Sequence, residues 1–251
     1  MVNSKNKKMP EVIKKFLKAD ILKRSLSALI LLPLFLFALY KGGLPYSILI
    51  IVLGFIIIYE WFSIVYRAKS NIIKPKKKYK WYFFGIIYSL LTAISILFLR
   101  NQPSIKFAFD YKLLLWICII VWTTDIAAYF VGITVEGPKI LPRVSPSKTW
   151  SGCFGALVFS VLSHEVAIRT VVTELFNPQI NIFVTWGVVI LTSLISQIGD
   201  FAESAFKRHF QVKNSSHIIP GHGGVMDRVD GLVMVCIMWF IVFVLSIIFN
   251  F

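Results

Sequence analysis

The chain has 251 residues, of which 57% are hydrophobic, 15% aromatic and only 16% charged, with a formal net charge of +15. That balance excludes a soluble domain of this length and places the chain among all-α, polytopic integral membrane proteins. The basic excess, which on a polar chain would point to nucleic acid, sits in short stretches between apolar runs of about 20 residues, so membrane topology accounts for it and no nucleic-acid partner is expected.

In chain order, eight Lys and Arg residues within positions 1–24 precede an apolar run from Leu26 to Tyr40. The arrangement superficially matches a secretory leader. Further apolar runs follow at once without a small-residue cleavage site, so it reads as an uncleaved first span. About seven spans are expected, near 25–40, 44–66, 81–99, 112–132, 150–172, 182–206 and 230–250. The first is short and contains Pro33, which fits a tilted, kinked or re-entrant helix, and half-helices of that kind would bring the count to eight or nine. With the N-terminus in the cytoplasm, 22 of the 27 Lys and Arg residues fall in inside segments, and the other five are Lys41, Arg100, Lys106, Lys112 and Arg169. Positive charge accumulates on the cytoplasmic side, so this orientation is expected. It puts the loops 133–149 and 207–229 on one face, together with Asp125, Asp200 and Asp227. Cys118, Cys153 and Cys236 lie in apolar runs without metal-site spacing and read as packing residues.

Several polar residues interrupt the apolar runs. Glu60, beside Trp61 near the inner end of the second span, reads as interfacial. Asp125 lies inside the fourth span, where a central carboxylate carries an insertion penalty of about 2.5–3.5 kcal/mol and so points to a paired or functional group. Ser145, Lys148 and Thr149 open the fifth span with hydroxyls, a lysine and helix N-terminal amides, a combination suited to phosphate. Trp150 serves either as an interfacial anchor or for base stacking. His164 and Glu165 have no motif around them, and interhelical hydrogen bonds are their default reading. Asp200 and Glu203 share one helix face, as do Asp227 and Asp230 if the last helix starts there. Carboxylates so close together suit a divalent cation such as Mg²⁺, which takes one or two carboxylates plus substrate phosphates. Their simpler alternative is pairing with Lys207, Arg208 and Arg228. These bases and Lys213 suit a triphosphate. Gly221, Gly223 and Gly224 around His222 make a compact loop whose amides can approach phosphate, with His222 either donating to it or serving the turn.

From Ser204 to Asp230 the chain reads S-x-x-K-R-x4-K-N-x5-P-G-H-G-G-x-x-D-R-x-D. This resembles the signature of the phosphatidate cytidylyltransferases, integral membrane enzymes that make CDP-diacylglycerol and pyrophosphate from CTP and phosphatidate. Asn214 stands where that family usually has Asp. Ser145–Gly152 is similar to a second family element, S-P-K-K-T-W-E-G, departing at Ser147 and Ser151, and the segments Asp125–Gly132 and Gln197–Ser204 also look like family patterns.

The resemblance implies Asp200 and Asp227 as ligands of Mg²⁺, with a second, monovalent cation such as K⁺ beside it and Asp230 completing or orienting the shell. It implies Lys148, Lys207, Arg208, Lys213 and Arg228 as phosphate-holding groups, and Asp125, Ser145, Thr149, Ser204, Gly221, His222, Gly223 and Gly224 as substrate-contacting ones. The catalytic part would be 111–251, with 1–110 forming a basic segment and the first three spans. A phosphate oxygen of phosphatidate would attack the α-phosphorus of CTP. The implied setting is a bacterial inner membrane with the site facing the cytoplasm, and a homodimer is the ordinary symmetric assembly. Two other readings remain: a CTP-dependent enzyme for another lipid, and a catalytically silent lipid-binding or transport homologue.

Overall fold

A computed structural model describes residues 27, 29–68, 72–73, 77–101, 111–173, 175–176, 179–219 and 223–249. It contains a short apolar helix α1 (Leu29–Lys41) followed by α2 (Gly43–Arg67), α3 (Lys78–Asn101), α4 (Lys112–Thr134), α5 (Trp150–Thr170), α6 (Ile182–His209) and α7 (Met226–Phe249). Between α4 and α5 runs an antiparallel hairpin, β1 (Lys139–Leu141) and β2 (Ser145–Thr149), in which Lys139 faces Thr149 and Leu141 faces Ser145. Among the described residues six helices are long and apolar enough to cross a bilayer, against the seven expected spans. α1 falls short because a crossing needs about 20 residues. It stops at Gly42, whose φ of 64° is a conformation that side chains disfavour and whose N–H returns to the Ala38 carbonyl at 2.8 Å.

The predicted helix centres hold, and several ends move, two of them at candidate site residues. α6 runs three residues beyond 206 and carries Lys207 and Arg208 on its last turn. α7 starts at Met226 rather than 230, so Asp227 lies in its first turn. The segment 133–149, expected as a loop, contains the hairpin because β1 and β2 satisfy each other's backbone groups.

Among the described residues, the larger of two hydrophobic clusters runs through the bundle around Tyr46, Ile50, Leu99, Trp116, Ile117, Val189 and Cys236, and the smaller gathers Ile57, Ile64, Val65, Phe210 and Met226. Of the buried polar groups, Thr92, Ser95, Ser160 and Thr192 return to carbonyls of their own helices, and others tie helices together. Tyr46 donates to the Ile96 carbonyl at 3.0 Å, Thr124 to Ser193 at 2.8 Å, and Trp116 to His164 Nδ1 at 3.1 Å. Trp186 of α6 donates to Glu165 at 2.8 Å. His164 and Glu165 therefore make the interhelical bonds expected of them. Between α6 and α7 the backbones touch: a Cβ on Gly199 would lie 2.9 Å from the Asp230 carbonyl oxygen and 3.2 Å from Gly231 Cα. Small residues permit such approaches in membrane bundles, and here the approach brings the neighbours Asp200 and Asp230 to the same place. On the other side, Gly152 and Gly132 set α5 against α4.

Candidate active site

A cavity of about 380 Å³ opens where the ends of α4, α6 and α7 meet the hairpin. α4 contributes Asp125 and Tyr129, the hairpin Ser147 and Lys148, α6 Asp200 and Lys207, and α7 Asp227, Arg228 and Asp230, with Asn214 from the α6–α7 connection. The ends that build it also hold one another. Arg67 donates to the carbonyls of Ser215 and Asn214, Lys148 pairs with Asp200, and Arg208 reaches the Val144 carbonyl at 3.3 Å. The C-terminal ends of α2, α4 and α6 therefore share one side of the bundle, the arrangement expected from the basic residues.

One wall is built from α6 and α7. Asp227 sits in the first turn of α7, where the helix dipole favours a carboxylate. It accepts from Lys207 Nζ at 2.6 Å, from the Ser215 N–H at 3.1 and 3.3 Å and from the Gly224 N–H at 2.9 Å. Lys207 also donates to Glu203, one turn earlier, at 3.0 Å. These three side chains are only 5–11% exposed, so their polar atoms rely on one another in place of water. Gly223 holds φ at 89°, and a Cβ there would come 2.9 Å from the Asp227 carboxylate.

The facing wall is held by fewer bonds. Lys148, at the end of the hairpin, pairs with Asp200 and lies 5.6 Å from the centre of the Phe201 ring. Burial pulls the Lys148 pKa down, but the carboxylates of Asp200, Asp125 and Asp230 outweigh it and leave the value above that of an ordinary lysine. Lys148 is thus a charged group at neutral pH.

The lining holds four carboxylates against three bases, with Glu203 behind Lys207. One oxygen of Glu203 is buried without a hydrogen-bond partner, and Asp230 stands beside it. Among the described residues no three His, Cys, Asp or Glu side chains form a ready metal cage. The four lining carboxylates, hard oxygen donors in excess of the bases, nevertheless fit a cation of the Mg²⁺ kind, which completes its shell with water and phosphate.

Of the sequence-predicted residues, Asp125, Lys148, Asp200, Lys207, Asp227, Arg228 and Asp230 are brought together. Ser204 lies behind Asp200, with its hydroxyl 3.4 Å from that carboxylate. Ser145, Thr149, Arg208 and Lys213 lie outside the lining. Thr149 caps α5 by accepting from the Gly152 N–H at 3.1 Å, and Arg208 bonds the Val144 and Val212 carbonyls at 3.3 Å each. Gly221 and His222 fall outside the described residues.

Sequence reasoning missed Glu60. Expected at an interface, it is fully buried and takes four hydrogen bonds. Oε1 accepts from Ser216 Oγ at 2.5 Å and the Val225 N–H at 2.8 Å; Oε2 accepts from Ser215 Oγ at 3.0 Å and the Met226 N–H at 2.7 Å. A signal was present: Ile50, Gly54, Ile57, Glu60 and Ile64 form a buried stripe at helical spacing, and a carboxylate on such a stripe needs a partner.

The sequence profile of the cytidylyltransferase family matches residues 71–246, which include every lining residue of the cavity. The chain belongs to this family. A phosphatidate cytidylyltransferase of Rickettsia conorii is 30% identical over 245 residues, covering 96% of this chain and 98% of that protein. One of Rickettsia prowazekii is also 30% identical, over 89% of this chain and 92% of its own length. A phosphatidate cytidylyltransferase of Brucella suis is 42% identical over 152 residues; the match covers 59% of this chain and spans about half, 52%, of that relative. Lys207 of the S-x-x-K-R element converges on one cavity with Asp227, Arg228 and Asp230 of the D-R-x-D element, all within the family match, whereas Glu60 lies outside that match.

Proposed function

We propose that the chain transfers the cytidylyl group of CTP to phosphatidate, forming CDP-diacylglycerol and pyrophosphate, at a site facing the cytoplasm of a bacterial inner membrane. The observation that carries this reading is the cavity in which Lys148 pairs with Asp200 and Lys207 with Asp227, at the end of an apolar bundle. Family membership and the names of the full-length Rickettsia relatives support the substrates. The placement of Lys and Arg supports the orientation.

A phosphate oxygen of phosphatidate attacks the α-phosphorus of CTP, a new P–O–P linkage forms, and the bond to the β-phosphate breaks to release pyrophosphate. The attacking phosphate is already anionic, so no protein base is required. Asp200 and Asp227, with Asp230 beside them, would hold Mg²⁺, which when bound supplies neutralisation of the triphosphate's charge. Each of the two acids carries a lysine. Lys148, held by Asp200 alone, can exchange that carboxylate for phosphate oxygens, while Lys207 stays between Glu203 and Asp227 and presents its charge to the cavity from there. Arg228 adds a third phosphate-facing base, and the lysines and arginine are placed to stabilise charge as it moves to the leaving pyrophosphate.

The experiment is incorporation of labelled CTP into lipid by purified protein given phosphatidate, with Mg²⁺ supplied or chelated. Cation-dependent CDP-diacylglycerol is the expected product. Turnover only with another phosphorylated lipid would overturn the acceptor, and no CTP binding by folded protein would overturn the reaction.

A further inference from the structure

We infer that Glu60, in the N-terminal half of the chain and outside the family match, is a positioning residue for the reaction proposed above, on which this inference rests. It acts as a latch that fixes the α6–α7 connection and the first turn of α7. Each carboxylate oxygen receives one serine hydroxyl and one backbone N–H, from Ser216 and Val225 on Oε1 and from Ser215 and Met226 on Oε2. The two amides belong to the start of α7, where N–H groups lack intrahelical acceptors, so a side chain of α2 completes the end of α7 from 165 residues away in sequence.

The latch is one bond removed from the cavity. Ser215 gives its hydroxyl to Glu60 and its N–H to Asp227. Gly224, which donates to Asp227, has no room for a side chain because a Cβ would stand 2.7 and 2.8 Å from the Glu60 oxygens. Asp227 and Arg228 immediately follow the residues that Glu60 holds, and Asp230 lies within the next turn of α7. Arg67, two turns along α2, clamps the carbonyls of Asn214 and Ser215 on the same connection. A helix that contributes nothing to the cavity lining therefore sets the register of the residues that do. Mere filling of a core position does not account for the pattern, since a hydrophobic residue at 60 would bury as well and leave two amides and two hydroxyls unanswered.

Glu60→Gln separates the two roles. Glutamine has the same shape but one acceptor oxygen. Serine hydroxyls can turn to accept from its amide, whereas backbone N–H groups cannot, so whichever way the side chain lies one α7 amide loses its partner. Wild type, Glu60→Gln and Ile57→Ala, a buried apolar position on the same stripe, are compared for thermal stability in detergent, turnover per folded molecule, CTP KM and the Mg²⁺ concentration giving half activity. Glu60→Gln is expected to lose at least about tenfold in kcat and to raise the half-activating Mg²⁺ at least about threefold, with the CTP KM changed less than kcat. Ile57→Ala is expected to lose stability at unchanged kcat. Folded Glu60→Gln with wild-type kcat and Mg²⁺ requirement would overturn the inference, as would an equal kcat loss in Ile57→Ala. Should Glu60→Gln not fold, Ser216→Ala removes one of the four bonds and is expected to shift kcat and the Mg²⁺ requirement in the same direction by about two- to fivefold; no shift would overturn the latch. Inactive wild type with phosphatidate would instead bring down the proposed reaction, and the latch with it.

Discussion

The two walls of the cavity solve the same electrostatic problem in different ways. On the α6–α7 wall, Lys207 lies between Glu203 and Asp227, and Asp227 is further held by two backbone amides. On the hairpin wall, Lys148 meets Asp200 through a single side-chain pair whose members are 21% and 25% exposed. Buried charges need several partners because water no longer screens or solvates them, whereas a pair with about a fifth to a quarter of its surface in contact with solvent keeps some of that help. The α6–α7 wall is therefore a fixed frame. The hairpin wall is held across the cavity by fewer bonds.

Lys207→Met should break the frame and gives the largest expected effect. It leaves Glu203 and Asp227 facing each other in a site with almost no solvent, and loss of one member of a buried ionic cluster costs about 3–5 kcal/mol. A steep fall in melting temperature with no measurable turnover is expected. A stable protein that had lost only activity would show that the frame tolerates the charge and that Lys207 serves the substrate alone.

Lys148→Met tests the opposite wall. Here stability should change by no more than about 1 kcal/mol, because the pair is partly solvated, while kcat falls about 100-fold, the scale seen when a group stabilising transition-state charge is removed. The raised pKa of Lys148 has a further consequence. Its favourable pairing is fully present below the pKa of a lysine in the unfolded chain and is lost only as pH rises through the higher folded value. The Lys148 contribution to activity should accordingly stay flat across the neutral range, and a kcat–pH profile with a neutral limb abolished by Lys148→Met would contradict that.

Asn214→Asp should produce a smaller change. Asn214 lines the cavity beside Asp227 and Asp230, and Asp would add one charge at nearly constant size. An extra carboxylate near a cation is expected to lower the half-activating Mg²⁺ about threefold, within the range for a partly exposed charge. A titration of activity against Mg²⁺ checks it, and an unchanged requirement would place position 214 outside the reach of the cation.

Much of this contrast was legible in the sequence, though unequally. Asp125, Asp200, Asp227 and Asp230 stood out because acids beside apolar runs are costly, and spacing placed Asp227 and Asp230 on one face. What hydropathy could not show was helical charge. Asp227, Arg228 and Asp230 look like a loop to a transfer scale, yet α7 begins at Met226 because Glu60, Lys207 and the helix dipole satisfy that first turn. The hairpin was hidden for a related reason: Ser145-Pro146-Ser147 reads as irregular, and only pairing with Lys139–Leu141 makes it a strand. Glu60 was misjudged because its partners are backbone amides and serine hydroxyls more than 150 positions away, which composition does not reveal.

Thr149 gives the smallest expected effect and separates two meanings of one motif. The family-like element S-P-S-K-T-W-S-G suggests a substrate contact, whereas its Oγ1 accepts from the Gly152 N–H at 3.1 Å and lies 3.0 Å from the Ser151 hydroxyl. A Cβ on Gly132 would come within 3.0 Å of the same oxygen, so the hydroxyl also marks the α4–α5 contact. Thr149→Val keeps the shape and removes the acceptor, with an expected loss of about 1 kcal/mol from the α5 cap. Because Lys148 is the preceding residue, a modest drop in kcat should accompany it, and Thr149→Ser should restore both. Melting temperature and CTP KM divide the alternatives: a lower melting temperature with unchanged KM assigns Thr149 to holding the hairpin wall, while unchanged stability with a raised KM assigns its hydroxyl to the nucleotide.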